Sequence, residues 1–288
     1  MKHLKTIFAS SLILMTLTAC DNTDSDNDEP TIDPPMKPEL TRVKVKVIDY
    51  SPAPGQFVNE LPKCSAGESY QDVVAKVEAV FNGNEDARVV TLGSFGGSVT
   101  VKTDTPIKGR FQVLGNAIPT QGEPGMVAIS TDGKTWYTLR GENFSRAKLT
   151  TVTYSRPAAD ATDAEYIQWR TTGGDSGYLS RIPEFHPQNY FPDWVSDATM
   201  TFTALRLPDN GTYSTATLQW TLTPLTGYAD CYPNSDDRSI LDPANAVDEE
   251  GRSVTINTFN YIRITSSVLQ NCGPLGEAST EVGGIKIL

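Results

Sequence analysis

The chain has 288 residues, with 24 Lys and Arg against 35 Asp and Glu and a formal charge of −11 at pH 7. This acidic balance, with no basic stripe along the chain, argues against nucleic acid or anionic lipid as a partner. Two histidines, and cysteines without zinc-site spacing, argue equally against a transition-metal centre.

The first element is a leader. Met1-Lys2-His3-Leu4-Lys5 is basic, Ile7 to Leu17 is apolar, and Leu17-Thr18-Ala19 ends in small residues before Cys20. A basic start, a short apolar run and a small-residue cleavage site define a secretory signal. The run is too short for a span, which needs about 20 apolar residues. A cysteine directly after the cut makes it a lipoprotein signal, so residues 1–19 are predicted to be removed and Cys20 to carry the acyl chains. Several such chains give stable membrane attachment. Residues 20–40 are rich in Asp, Asn and Pro and have almost nothing to bury, which predicts a solvated tether. Acids from Asp21 onward resemble the export signal of surface lipoproteins in gut Gram-negative bacteria. That resemblance implies the outer face of the outer membrane.

Residues 41–288 read as a single all-β domain. Val43 to Val47 and Ser98 to Lys102 alternate as half-buried strands do. Met126–Thr131 and Lys134–Leu139 flank Asp132-Gly133, which predicts a hairpin with a tight type I′ turn. Further strands are expected at 89–93, 110–115, 149–154, 165–170, 199–206, 216–222, 253–257 and 260–268. One helix is expected after Ser69, with Tyr70, Val73, Val74, Val77 and Val80 at helical spacing and Gly83 as its stop. Many short strands and a lone helix predict two packed antiparallel sheets, a β-sandwich of jelly-roll type.

Chemistry-bearing motifs are few. Gly174-Asp175-Ser176-Gly177 matches the surroundings of a serine-protease nucleophile, but the only histidine after the leader is His186, ten residues downstream. A triad needs a histidine base oriented by a carboxylate, so the segment reads as a turn between strands. Asp230, Asp236, Asp237, Glu277 and Glu281 are candidates for a two-carboxylate glycan hydrolase. The same oxygens suit calcium, although no Asp-x-Asp-x-Asp-Gly loop supports that ion and no metal or cofactor is assigned. The segment Phe185-His186-Pro187-Gln188-Asn189-Tyr190-Phe191-Pro192-Asp193-Trp194 carries unusual aromatic weight, with Trp169 and Tyr178 just before it. Its aromatics either form a ligand platform, led by Trp194, Tyr190, Phe191, Trp169, Tyr178 and His186, or plug one end of the sandwich. Trp136 and Trp220 fall in strand patterns and read as core. Cys231 and Cys272 are a plausible disulfide, while pairing of Cys64 with either remains open.

In this setting the chain resembles a family of bacterial surface lipoproteins labelled "cell surface protein", some of which carry a PKD domain. The landmarks are Tyr50-Ser51-Pro52-Ala53-Pro54-Gly55-Gln56-Phe57-Val58-Asn59, Leu92 to Gly97, Gly115-Asn116-Ala117, Glu123-Pro124-Gly125, Phe185 to Pro192, Gly227 to Asp230 and Cys272 to Val282. The resemblance implies a noncatalytic sandwich that accompanies a TonB-dependent outer-membrane receptor, with a corrinoid or a glycan as ligand. Cys231 follows Asp230 where the family has a polar residue, which supports a local disulfide. An Asp/Asn-rich loop of the family is shortened here to Ser130–Thr135, so any calcium it holds there is not expected in this chain. A nutrient-capture module is the leading expectation. The alternatives are a carboxylate-dependent glycan hydrolase and a structural or adhesive surface protein.

Overall fold

The computed structural model describes residues 39–65, 67–84 and 88–288, which pack as one compact unit. The leader, Cys20 and nearly all of the tether lie outside the described residues. The architecture is all-β, with several antiparallel sheets and, among the described residues, a single α-helix. Among the described residues, no helix is long and apolar enough to cross a membrane.

Two larger sheets form the sandwich. One contains β1 (Thr41–Val43), β3 (Val90–Thr91), β5 (Phe111–Gly115), β14 (Ile240–Leu241) and β17 (Glu281–Ile287), in the order β1-β17-β5-β14 with β3 also on β17. The other contains β2 (Val45–Ser51), β4 (Ser98–Ile107), β6 (Gly125–Ser130), β7 (Tyr137–Leu139), β15 (Ala246–Val247) and β16 (Phe259–Ser266), ordered β15-β7-β6-β16-β4-β2. Alternation along these strands sends Val99, Val101, Ile262 and Ile264 of one sheet, and Phe111, Val113, Val282 and Ile285 of the other, into one apolar cluster.

Helix α1 (Tyr70–Phe81) starts at a capping box in which Ser69 and Asp72 satisfy each other's backbone N–H groups. Val73, Val77, Val80 and Phe81 bury its inner face. It also closes the exposed edge of β2. Asn82 both accepts from Val45 N (3.0 Å) and donates to Val45 O (2.9 Å), and Glu78 Oε2 accepts from Val47 N (2.9 Å). Side chains thereby take the place of a further strand on an edge otherwise open to pairing.

Two smaller sheets lie on this sandwich. The first comprises β8 (Lys148–Ser155), β9 (Ile167–Thr171), β10 (Ser176–Leu179) and β11 (Thr199–Arg206), ordered β10-β9-β8-β11. Its buried face supplies Val152, Tyr154, Ile167 and Leu179 to a second apolar cluster. Its other face carries the threonine pairs Thr151–Thr203 (2.8 Å) and Thr153–Thr201 (2.9 Å). The second is the hairpin β12 (Gly211–Ser214) and β13 (Gln219–Leu222).

The structure departs from the sequence expectations at several points. The 126–139 hairpin pairs in the expected sense, but β7 begins only at Tyr137. The connection is a wide loop in which Asp132 Oδ1 accepts from Lys134 N and Thr135 N, both at 2.8 Å. A side-chain acceptor has replaced the tight turn. Residues 253–257 form no strand, because the neighbouring edge strand β15 is two residues long and offers only the Val247–Ser253 bridge. The sequence reading passed over β17, a central strand, because Gly283 and Gly284 dilute its pattern. Both glycines are required there. A Cβ on Gly283 would lie 1.8 Å from Arg88 O, and Gly284 (φ 153°) follows a register shift.

Candidate functional site

The 185–194 segment starts at the surface, where Phe185 is exposed, and turns inward at Tyr190 to Pro192. Tyr190 and Phe191 are fully buried in the second cluster, which overturns their assignment to an exposed platform. Their burial is enforced by backbone pairing. Asn59 donates to Asn189 O (2.8 Å) and Phe191 O (3.0 Å) and accepts from Asp193 N (3.0 Å), while Tyr190 O accepts from Gly55 N (2.9 Å). The Tyr190 hydroxyl accepts from Ile182 N (3.0 Å), and Arg156 covers the outer face of Phe191. Trp194 stacks on buried Tyr50, and Trp169 packs on the second cluster beneath Gly177. His186 pairs with Glu60 (2.9 Å) and meets the Phe57 ring edge-on. Of the six proposed ligand residues only Tyr178 is exposed, and β10 holds it apart from the others by pairing it with Gln168. The plug, not the platform, is what this segment forms.

Cys231 and Cys272 are free thiols, as is Cys64, so the expected disulfide is not formed. Both lie in the third apolar cluster. Burial pushes both thiols up, Cys272 to about 12, which keeps them protonated and unreactive. Gly174 and Asp175 lie in the turn between β9 and β10, whereas Ser176 and Gly177 already belong to β10, Ser176 opposite Arg170, so the turn reading holds for the first half of the motif only.

Two aromatics instead meet across the β12–β13 hairpin, Tyr213 exposed and Trp220 half-buried. Tyr213 and Trp220 are cross-strand partners whose rings lie 5.6 Å apart, tilted by 49°. They wall an open groove of about 690 Å³ together with Leu218, Leu275, Gln121 and Gln219. Trp220 is half-buried: it packs against the third apolar cluster, as its strand pattern suggests, and also lines the groove. The two-stranded sheet has no third strand to cover it. Its base is fixed on both sides. Gln270 exchanges two hydrogen bonds with Gly211 (2.9 and 3.0 Å), and Asn210 Nδ2 donates to Gly122 O (2.7 Å) and Thr223 O (2.9 Å). Leu222 N donates to Thr120 O and Gly122 N to Leu222 O, each at 3.0 Å, joining the hairpin to the loop that carries Gln121. Gly273, at φ 59°, lets the 272–276 turn approach the Trp220 indole.

Behind this groove lies a set of carboxylates, half-buried at Glu123 and buried at Asp230, Glu277 and Glu281. Glu123 precedes β6, Asp230 follows β13 in a positive-φ conformation (54°), and Glu281 opens β17. One carboxylate oxygen from each lies within 4.8 Å of the others. Asp230 Oδ1 accepts from Asn116 N (2.9 Å) and Ala117 N (3.0 Å), and its Oδ2 from Glu281 N (2.8 Å). Glu281 Oε1 accepts from Ser279 Oγ (2.6 Å) and Thr91 Oγ1 (3.2 Å), and Glu123 Oε1 accepts from Ser279 N (2.9 Å). Glu277 is buried near them, with Oε1 accepting from Gln56 N (2.5 Å). None of the ion pairs among the described residues involves these four carboxylates. Burial raises the proton affinity of all four, and mutual repulsion raises Glu123 and Glu281 further. Glu277 is pushed up to about 7. Three backbone N–H donors make Asp230 the member best able to keep its charge.

The sequence reading proposed Asp230, Glu277 and Glu281 but not Glu123. Asp236 and Asp237 lie elsewhere, at a short 3-10 turn where Asp236 pairs with Arg238. All four clustered acids fall inside the landmark segments Glu123-Pro124-Gly125, Gly227 to Asp230 and Cys272 to Val282, a signal available without coordinates. No protein-family model matches the chain, and no curated protein matches it in sequence.

Proposed function

We propose that this protein is a noncatalytic ligand-capture lipoprotein, anchored through Cys20 at the cell surface and serving a TonB-dependent receptor, with a glycan as its ligand. The Tyr213–Trp220 groove carries this reading. Two tilted aromatic faces offer stacking area, and Gln121, Gln219, Thr120 and Thr221 line the same space with amides and hydroxyls. Flat apolar area beside neutral donors and acceptors suits the alternating C–H faces and hydroxyls of a sugar. A groove of about 690 Å³ lies in the usual range of roughly 300–1,000 Å³ for ligand sites. Glycan hydrolysis at the buried acids is disfavoured. The cavity that Glu123 and Glu277 line is about 160 Å³, and Asp230 and Glu281 are buried away from it, which leaves no room for a sugar ring between two carboxylates.

Titration calorimetry against oligosaccharides and corrinoids tests the proposal. Saturable binding of an oligosaccharide without turnover, lost in Trp220→Ala, supports it. Binding of a corrinoid alone replaces the ligand class, and product formation replaces the noncatalytic reading. A stable protein partner with no small-molecule binding favours an adhesive role. For the anchor, Cys20→Ala is expected to release the protein from the membrane fraction.

A further inference from the structure

We propose that Glu123, Asp230 and Glu281 form a binding site for one hard divalent cation, calcium by its chemistry. Three carboxylates from three separate segments converge on one point, with no Lys or Arg side chain paired to any of them among the described residues. A second, independent feature lies beside them. Glu277, 2% exposed, leaves its Oε2 without a hydrogen-bond partner and lines the same small cavity as Glu123. A buried carboxylate oxygen with no donor carries a desolvation cost that a cation or its water ligands would offset.

The donor set selects the ion. It is all oxygen, with no imidazole or thiol among the three, which disfavours zinc and copper. Calcium takes about 6–8 oxygen ligands in flexible geometry, and the cavity of about 160 Å³ between Glu123 and Glu277 has room for waters on that side of the ion. Magnesium demands near-octahedral order that carboxylates already committed to backbone N–H groups supply poorly. A bound cation would tie the loop before β6 in one sheet to the start of β17 in the other. Gln121 and Leu275 line both this cavity and the aromatic groove, so the ion would also brace the groove floor.

The test uses the full chain stripped with EDTA, calcium chloride alone, and equilibrium dialysis with elemental counting alongside thermal unfolding. It needs no sugar, so it stands or falls apart from the groove reading. The expected result is one calcium per chain, a saturable rise in Tm, and affinity weakened at least about tenfold in Glu123→Gln. Because protons compete for the same oxygens, affinity should be higher near about pH 8.5 than near about pH 6. Glu123 is half-buried and accepts one backbone hydrogen bond, from Ser279 N, beside its side-chain contact with Glu281, so Glu123→Gln is expected to keep the fold more readily than Glu281→Gln. No uptake at about 1 mM, the weak limit of extracellular calcium modules, would overturn the proposal. So would equal uptake by Glu123→Gln, or a response to zinc without one to calcium.

Discussion

Two aromatic-rich regions, the 185–194 segment and the β12–β13 hairpin, have opposite fates. The first is denser in aromatic residues, yet Tyr190 and Phe191 are fully buried, and Asn59 fastens the segment's backbone from the far side of the chain. The second has only Tyr213 and Trp220, yet both face a groove, because a two-stranded sheet has no partner layer to cover them. Aromatic density therefore reports how much apolar area a segment has to hide. Whether it is hidden depends on what packs above it.

The largest expected effect distinguishes the two regions by stability. Phe191→Ala should cost about 3–5 kcal/mol in denaturant unfolding, as expected for truncating a buried aromatic, with no specific change in ligand affinity beyond that due to unfolding. A loss under about 1 kcal/mol would mean the segment is looser than its burial indicates.

The acids behind the hairpin give the next effect. Glu277 ionises near about 7 in the folded chain against an ordinary 4.5. The native state therefore holds a proton that the unfolded chain has released, so this contribution is present at low pH and is lost as pH rises through about 7. In EDTA, stability should fall between about pH 5 and pH 8 by on the order of 3 kcal/mol, read from urea midpoints. A flat profile would show that the acids are solvated rather than buried.

Trp220→Ala should act in the reverse sense to Phe191→Ala. Affinity for the bound glycan is expected to drop by about 2 kcal/mol, roughly thirtyfold, by calorimetry. Stability should change by less than about 1 kcal/mol, since the indole is partly solvated. A large stability loss with unchanged affinity would put Trp220 back in the core. The smallest effect concerns the thiols. Dithiothreitol should leave Tm unchanged, because Cys231 and Cys272 are unlinked. Loss of a native disulfide would instead cost about 2–5 kcal/mol.

Much of the fold was legible because its signals are local. The Ser69 cap, the valine stripe of α1 and the alternation in β4 and β16 each lie within a few residues of sequence. β17 was hidden because its glycines answer to Arg88 and Arg42, residues far away in the chain. The acidic site was half legible. Its residues stood in recognisable segments, but nothing in their spacing joins positions 123, 230 and 281.

The sequence by itself determined the all-β class, helix α1 with its ends, and the turn at Gly174-Asp175, since periodicity and backbone chemistry act between neighbours. Tertiary structure alone decided which aromatics are covered, that the cysteines stay unlinked, and that carboxylates from positions 123, 230 and 281 converge. Those outcomes depend on distances between segments that strand pairing brings together, and no local pattern encodes them.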